Sequence, residues 1–296
     1  MTSPSSLTCR RSPRETLASV SRPPAVCFMA VVARFDEDVE WLRRSPIAYT
    51  IVNKSAAIPN TGYDASSFLW WIISNYERLP QYILFLHAHE RAWHHARYSQ
   101  LASAFIAIEH LPEHGFLSIN HKPDGEMFVN EKPLARELSR AEHVQLRRSI
   151  LGIDTTLPAD GSVRWPACAQ FWVRRERVMA RPRHYYARLY QAMTDDAHPL
   201  LSRTAPAEGY PNRSLHNLFL EAYWHWVFGE PERYVAPFVS YVNMPFVTGV
   251  VPNLDGSLPQ RMRRRASQRL WRPGAAGKKR GVGRGRGSLA RTRETT

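Results

Sequence analysis

Residues 64–89 read DASSFLWWIISNYERLPQYILFLHAH, and the change of period within this stretch decides the fold. Up to Arg78 the apolar residues Phe68, Leu69, Trp71, Ile72 and Tyr76 recur at helical spacing, with Asp64 placed to cap the first turn. They cover much of the circumference, so the helix packs on more than one side. Beyond Leu79-Pro80 the period is lost, and Gln81–Leu86 becomes a short continuous run of aromatic and aliphatic residues. Such a run reads as a strand, the third of the chain. Helix followed by buried strand is half of a repeating α/β unit, and the flanking sequence supplies the other half.

Upstream, Val26–Arg34 (VCFMAVVAR) and Ala48–Asn53 (AYTIVN) read as strands. The acidic segment Asp36–Arg44 between them opens a helix, and Pro59-Asn60-Thr61-Gly62 is turn chemistry. Downstream, Tyr98–His110 reads as a helix and Gly115–Ile119 as a fourth strand. Strand then helix, three times over, predicts an α/β fold with a mostly parallel sheet flanked by helices.

The formal net charge of the 296-residue chain is +14, which suggests an acidic partner until its location is considered. Residues 261–296 hold 13 Lys/Arg against the single acid Glu294, and residues 1–24 hold 4 Arg against Glu15. Residues 25–260, with 23 basic and 24 acidic side chains, are close to neutral. The division predicts one α/β domain over 25–260, a disordered Ser/Pro/Arg-rich segment over 1–24 and a disordered Arg/Gly-rich basic tail over 261–296. The tail is suited to nucleic acid or an acidic surface, or is solvated with no specific partner. Arg261–Arg265 has the composition of a nuclear-localisation patch, and the first segment that of an organellar transit peptide. With no long apolar run and no secretory core, a soluble intracellular protein without a transmembrane segment is expected. Cys9, Cys27 and Cys168 are too scattered for a disulfide framework.

In a parallel sheet, ligands bind beyond the carboxyl ends of the strands. That rule brings together Arg34–Asp38, Asn53-Lys54 and His87-Ala88-His89-Glu90. Residues 85–95, FLHAHERAWHH, carry four histidines. Alternation puts His87 and His89 on one side, with Ala88 facing away, as a metal or phosphate site requires. Trp93 and His94 are then the pocket wall. The competing interpretation is that these imidazoles cap strand-end carbonyls or satisfy one another.

The segments VVARFDEDVEWL (31–42), PNTGYDASSFLWWIISNYERLPQYILFLHAHERAWHH (59–95), CAQFWVRRERVMARPRHYY (168–186) and LFLEAYWHWVFGEP (218–231) resemble, in order and spacing, domain of unknown function family 3431, found mainly in fungi and algae. The resemblance spans about residues 28–230. A weaker similarity, to GT-A type glycosyltransferases, implies a nucleotide-diphospho-sugar transferase-like fold. It also implies a reaction, the movement of a sugar from a nucleotide-sugar donor to an unknown acceptor. By that likeness Asp36 and Glu37 contact the nucleotide, and His87 and His89 stand where such enzymes carry an Asp-x-Asp metal triplet. Arg174, Arg175 and Arg177 are the phosphate-clamp candidates, although arginines after a strand also serve as surface charges. Glu221 is the general base on the acceptor hydroxyl, with His225 four residues on along the same helix face. Because imidazoles hold hard cations less well than carboxylates, the likeness leaves open a divalent metal, Mn²⁺, Mg²⁺ or the softer Zn²⁺, or no metal, with positive side chains on the diphosphate instead. The alternatives are a metal-dependent hydrolase using His87, His89 and His94 or His95 with a distant Asp124 or Asp154, and a non-enzymatic protein that binds nucleic acid through its tail.

Overall fold

The helix and the strand of residues 64–86 both form, each within a few residues of its expected bounds. In this computed structural model the described residues are 28–45, 47–92, 94, 99–108, 114–122, 126–134, 137–166, 168–204 and 214–235. The expected tails, together with Cys9, Cys27, Trp93, His95 and Asp124, lie outside them.

Strand β1 (Phe28–Arg34) lies between β2 (Ala48–Asn53) and β3 (Tyr82–His87), parallel to both. Four consecutive residues of β1 and the first five of β3 are buried. This accounts for their unbroken apolar sequence, since both faces of a central parallel strand are covered. Between β2 and β3, helix α1 (Tyr63–Asn75) continues into a 3-10 turn, Tyr76–Arg78. The helix expected over Asp36–Arg44 is only a 3-10 turn, Glu40–Arg44. Acidic side chains there bond the backbone instead. Glu37 Oε2 accepts from the Phe35 N–H at 2.7 Å and Asp38 Oδ1 from the Glu40 N–H at 2.8 Å. Such local bonds compete with a helical ladder.

After β3 come α2 (Gln100–Ile108), β4 (Phe116–Ser118), β5 (Val129–Pro133), α3 (Arg140–Leu146), β6 (Ser162–Pro166) and β7 (Phe171–Arg174). The chain then forms α4 (Arg175–Met179), α5 (Arg183–Thr194) and α6 (Leu215–Val227). The main sheet has the order β2-β1-β3-β7-β4, and β5 and β6 form a separate antiparallel pair. The sheet is mixed: β7 lies antiparallel between β3 and β4, so β4 runs in the same direction as β1 to β3, as expected, but does not pair with them directly. Register explains the reversal. Ser118 at the end of β4 is opposite Phe171 at the start of β7, so the 119–170 excursion leaves and re-enters at one edge. Without a crossover to the far edge, the returning strand runs backwards.

Successive residues of β7 serve opposite faces. The Phe171 ring packs at a tilt, with centroids 5.0–5.6 Å away, against Phe116, Phe85, Trp224 and Phe228. The neighbouring Trp172 donates its indole N–H to Ala104 of α2 at 3.0 Å. Helices therefore cover both faces, with Phe68 of α1 and Trp224 of α6 on the Phe171 side. Among the described residues no helix is long and apolar enough to cross a membrane.

Candidate functional site

The three parallel strands end level, with Arg34 opposite Asn53 and Ala33 opposite His87. The residues just past those ends meet, as the strand-end rule requires. After β1 the chain turns so that Arg34 Nε donates to the Glu37 carbonyl at 2.8 Å. Burial works against the Glu37 carboxylate, but the backbone N–H groups of Phe35, Glu37 and Asp36, together with the His89 imidazole, outweigh it and hold the carboxyl below its ordinary value. Asp36 is exposed, and its contribution is that backbone group. His89 Nε2 stands 3.8 Å from Glu37 Oε1.

After β2, the Lys54 N–H extends the ladder to the Arg34 carbonyl at 2.9 Å. Its ammonium turns toward α1, donating to Ser66 Oγ at 2.6 Å and to the Tyr63 carbonyl. Burial pushes Lys54 down to about 8, opposed by the charges of Asp64 and Glu37. Asp64 is not the expected cap, because the N-cap is Gly62 and no side chain makes the capping bond. Its carboxyl is acted on instead by the charges of Lys54, Glu37, Glu221 and His89. Burial pushes Asp64 up to about 6, with Lys54 and His89 opposing the rise and the two glutamates adding to it. From α6, Glu221 Oε1 accepts the Cys168 N–H at 3.1 Å.

Two residues with unusual backbones flank this cluster. Among the described residues only Tyr63 (φ 47°) and Cys168 (φ 64°) have positive φ without being glycine. Each presents a backbone group to a site side chain, Tyr63 its carbonyl to Lys54 and Cys168 its N–H to Glu221. Strain of this kind concentrates where geometry serves a function. Beside the cluster, an open depression of about 480 Å³ is lined in part by Glu37, Trp41, Arg44, His89, Glu90 and Arg91. Its walls are tied together by Trp41 Nε1 donating to the Ala88 carbonyl at 2.7 Å and by an Arg44–Glu90 ion pair at 2.8 Å.

The two histidines of the HAH triplet share a side, with ring centroids 5.4 Å apart and Ala88 fully buried. Their polar atoms nevertheless take different partners. Gln100 is buried, and its amide nitrogen faces the carbonyls of His87 (3.1 Å) and His89. Carbonyls only accept, so the amide orientation is fixed, and His87 Nδ1, 3.3 Å from the same nitrogen, is an acceptor. The His87 proton is therefore on Nε2, donated to His94 Nε2 at 3.3 Å. Burial holds His87 down to about 3 and His94 to about 4, so both rings are neutral at physiological pH. His87 and His94 satisfy one another beneath the site, and His89 faces it. Among the described residues no group of three or more His, Cys, Asp or Glu is placed to share a metal ion. His87 already uses both ring nitrogens, so the triplet does not fit a metal chelate as it stands.

Other expected positions fall away from the cluster. Arg174 pairs across the sheet with Tyr82, at the start of β3, and the Arg175 N–H bonds the Gln81 carbonyl at 2.9 Å. That is the amino edge of β3, opposite the site. Arg174 there pairs with Glu176 at 3.2 Å, Arg175 is exposed, and Arg177 reaches the Gly229 carbonyl at 3.3 Å. His225 is fully buried and bonds the Glu232 carbonyl at 2.9 Å, so it anchors the chain after α6 rather than sharing a site face with Glu221. Asp154 is paired on the surface with Arg148 at 2.8 Å. Lys54 was legible as a strand-end residue, but Asp64 was hidden by its resemblance to an ordinary helix cap.

No curated protein and no solved structure matches the chain, so the likeness to GT-A glycosyltransferases rests on sequence layout alone. Matched over residues 30–240, more than half its length, the chain belongs to the family described as Protein of unknown function (DUF3431).

Proposed function

We propose that the chain is a glycosyltransferase-like enzyme that moves a sugar from a nucleotide-sugar donor to an acceptor hydroxyl at the carboxyl edge of β1, β2 and β3. One observation carries the reading. Carboxyls in unlike states meet at these strand ends: Glu37, held below its ordinary value, and Asp64, near 6, both act on the Lys54 ammonium, while Glu221, which accepts the Cys168 N–H, acts on Asp64. Sugar transfer needs a carboxylate to accept the acceptor's proton and a cation to offset charge leaving with the diphosphate. Unlike environments for neighbouring titratable groups are how one site supplies such different roles. Glu37 and Asp36 are the nucleotide contacts, His89 and Lys54 the donors toward the diphosphate, and Glu221 and Asp64 the two carboxyls within reach of an acceptor.

Thermal denaturation of the full chain with UDP-sugars and GDP-sugars, each with and without Mn²⁺, tests the reading against Zn²⁺ alone and against RNA. Nucleotide sugars raising the melting temperature is the expected result, since a ligand that binds only the folded state stabilises it. Stabilisation by Zn²⁺ alone would favour the hydrolase. Salt-sensitive RNA binding with no response to nucleotide sugars, lost on deletion of residues 261–296, would favour the binding protein.

A further inference from the structure

We propose that Arg181 and Arg188, with the Tyr185 hydroxyl and the Trp226 indole, form a binding site for a phosphate monoester at the amino edge of the sheet, away from the strand-end cluster. The site does not depend on sugar transfer.

Residues 174–190, RRERVMARPRHYYARLY, hold six arginines against one acid, Glu176. Arg174 is neutralised by Glu176 at 3.2 Å, and Arg177 reaches Glu230 at 3.6 Å. Arg181 and Arg188 have no carboxylate partner among the described residues, and their guanidiniums lie against rings instead. Arg181 is 5.2 Å from the Tyr185 ring centroid and 5.9 Å from that of Trp226, while Arg188, one turn after Tyr185 on α5, is 5.9 Å from the Tyr185 centroid. A guanidinium stacked on a ring keeps its N–H edge free for oxygen acceptors. The Arg181 backbone is fixed at both ends, its N–H bonding the Val178 carbonyl at 3.2 Å and its carbonyl accepting the Tyr76 hydroxyl at 2.5 Å.

The two rings supply a second observation. Tyr185 is 5% exposed, and neither its hydroxyl nor the buried Trp226 Nε1 has a hydrogen-bond partner among the described residues. A guanidinium and an indole N–H only donate, and burial keeps the proton on the Tyr185 hydroxyl against the pull of the two arginines. Donors do not satisfy one another, and a buried donor without an acceptor is costly. An oxyanion completes the set. Arg188 is exposed and Arg181 partly so, and a small shift of a flexible guanidinium admits the anion to the two buried donors. A phosphate monoester, with close to two negative charges and three strong acceptor oxygens, matches two arginines and two further donors. A nucleic-acid phosphodiester has less charge and fewer free oxygens, and matches less of the set. Arg175, Arg183 and His184 of the same stretch are exposed and add to its positive field.

The test compares the full chain with Arg181→Met, Tyr185→Phe and a control, Arg174→Met, whose charge Glu176 already neutralises. Circular dichroism establishes that each variant is folded. Each is titrated with inorganic phosphate, with phosphatidylcholine vesicles containing or lacking phosphatidic acid, and with single-stranded RNA. The parent and Arg174→Met are expected to bind phosphate alike, with Arg181→Met weaker by about tenfold or more and Tyr185→Phe by about fivefold. In phosphate-free buffer Tyr185→Phe is expected to melt no lower than the parent, because the hydroxyl it loses has no partner there. Phosphate should then raise the melting temperature of the parent more than that of the variant. Capture by phosphatidic acid vesicles that Arg181→Met abolishes would identify a lipid headgroup as the source of the phosphate, and phosphate binding without vesicle capture a free phosphate ester. Phosphate binding that is absent from the parent, or that Arg181→Met leaves unchanged, would overturn the site, any affinity then belonging to the basic segment 261–296. A Tyr185→Phe less stable than the parent without phosphate, or a loss in Arg181→Met confined to RNA, would overturn it as well.

Discussion

His87 and His89 are two residues apart in one triplet, yet they belong to different physical environments. The His87 ring is bonded by His94 at 3.3 Å and by Gln100 at 3.3 Å. Truncating it removes the ring that His94 Nε2 and the Gln100 amide face and leaves a void among buried groups, and losing a buried polar contact costs about 1–3 kcal/mol. His87→Ala is therefore expected to lower unfolding stability by about 2–3 kcal/mol in urea titrations. The His89 side chain is 61% exposed, and its near neighbour is Glu37. His89→Ala is expected to leave stability within about 0.5 kcal/mol of the parent. It should weaken nucleotide-sugar binding by more than about tenfold, or about 1.4 kcal/mol. Calorimetric titration alongside the urea curves separates the two. A fully stable His87→Ala, or a destabilised His89→Ala with normal binding, would show that the division between support and site is wrong. The sequence placed the two rings on one side correctly, because alternation along an extended segment is local. It could not assign their partners, since Gln100 and His94 arrive through folding of the loop beyond.

At the scale of elements, one ion pair joins three parts of the chain. Arg147 begins the π-helical turn Arg147–Leu151 that continues α3, and it is fully buried. Its guanidinium pairs with Glu232 and donates to Thr155 Oγ1 at 2.8 Å, while the Glu232 carbonyl receives His225 of α6. The turn, the loop to Thr155 and the segment after α6 are thereby fastened together. Removing one partner of a buried pair leaves the other uncompensated, so Arg147→Met is expected to cost about 3 kcal/mol. Adding Glu232→Gln should recover part of that loss, because the stranded charge goes with it. A double variant whose loss in denaturant titrations equals the sum of the two single losses would mean that the side chains are not coupled. This clamp was not legible in the sequence. His225 read as a site residue because it shares a helical spacing with Glu221, and spacing does not reveal that the end of α6 packs under Glu232.

Across the whole molecule the histidines set the response to acid. Burial holds His87 and His225 down to about 3 and His94 and His143 to about 4. Each folded value lies below the ordinary 6.5, so the unfolded chain takes up these protons first. Their stability contribution is complete above about 6.5 and is lost as pH falls toward the folded values. Asp64, raised to about 6, acts in the opposite sense between its ordinary 3.8 and that value, being protonated first in the folded chain. The four histidines, joined by His216, which burial also lowers, outnumber the raised carboxyls Asp64 and Glu230 and predict a melting temperature that declines from pH 7 to pH 4.5, with uptake of more than one proton on unfolding. A flat or rising profile over that interval would show that the four imidazoles are not held neutral by the fold.

Local sequence was enough to find the strands β1, β2 and β3 and the helix between β2 and β3. These follow from apolar periodicity and turn residues within short windows, so the carboxyl edge with Glu37, Lys54 and His89 was legible in advance. It also located the excess positive charge outside residues 25–260. Only the tertiary structure decided the direction of β7, because that depends on the 119–170 excursion returning to the edge it left. The same fact carried Arg174 and Arg175 to the far side of the sheet. Asp64 and Glu221 come from helices 157 residues apart in the chain, and no local pattern joins them; burial, which raises Asp64, exists only when the chain is folded.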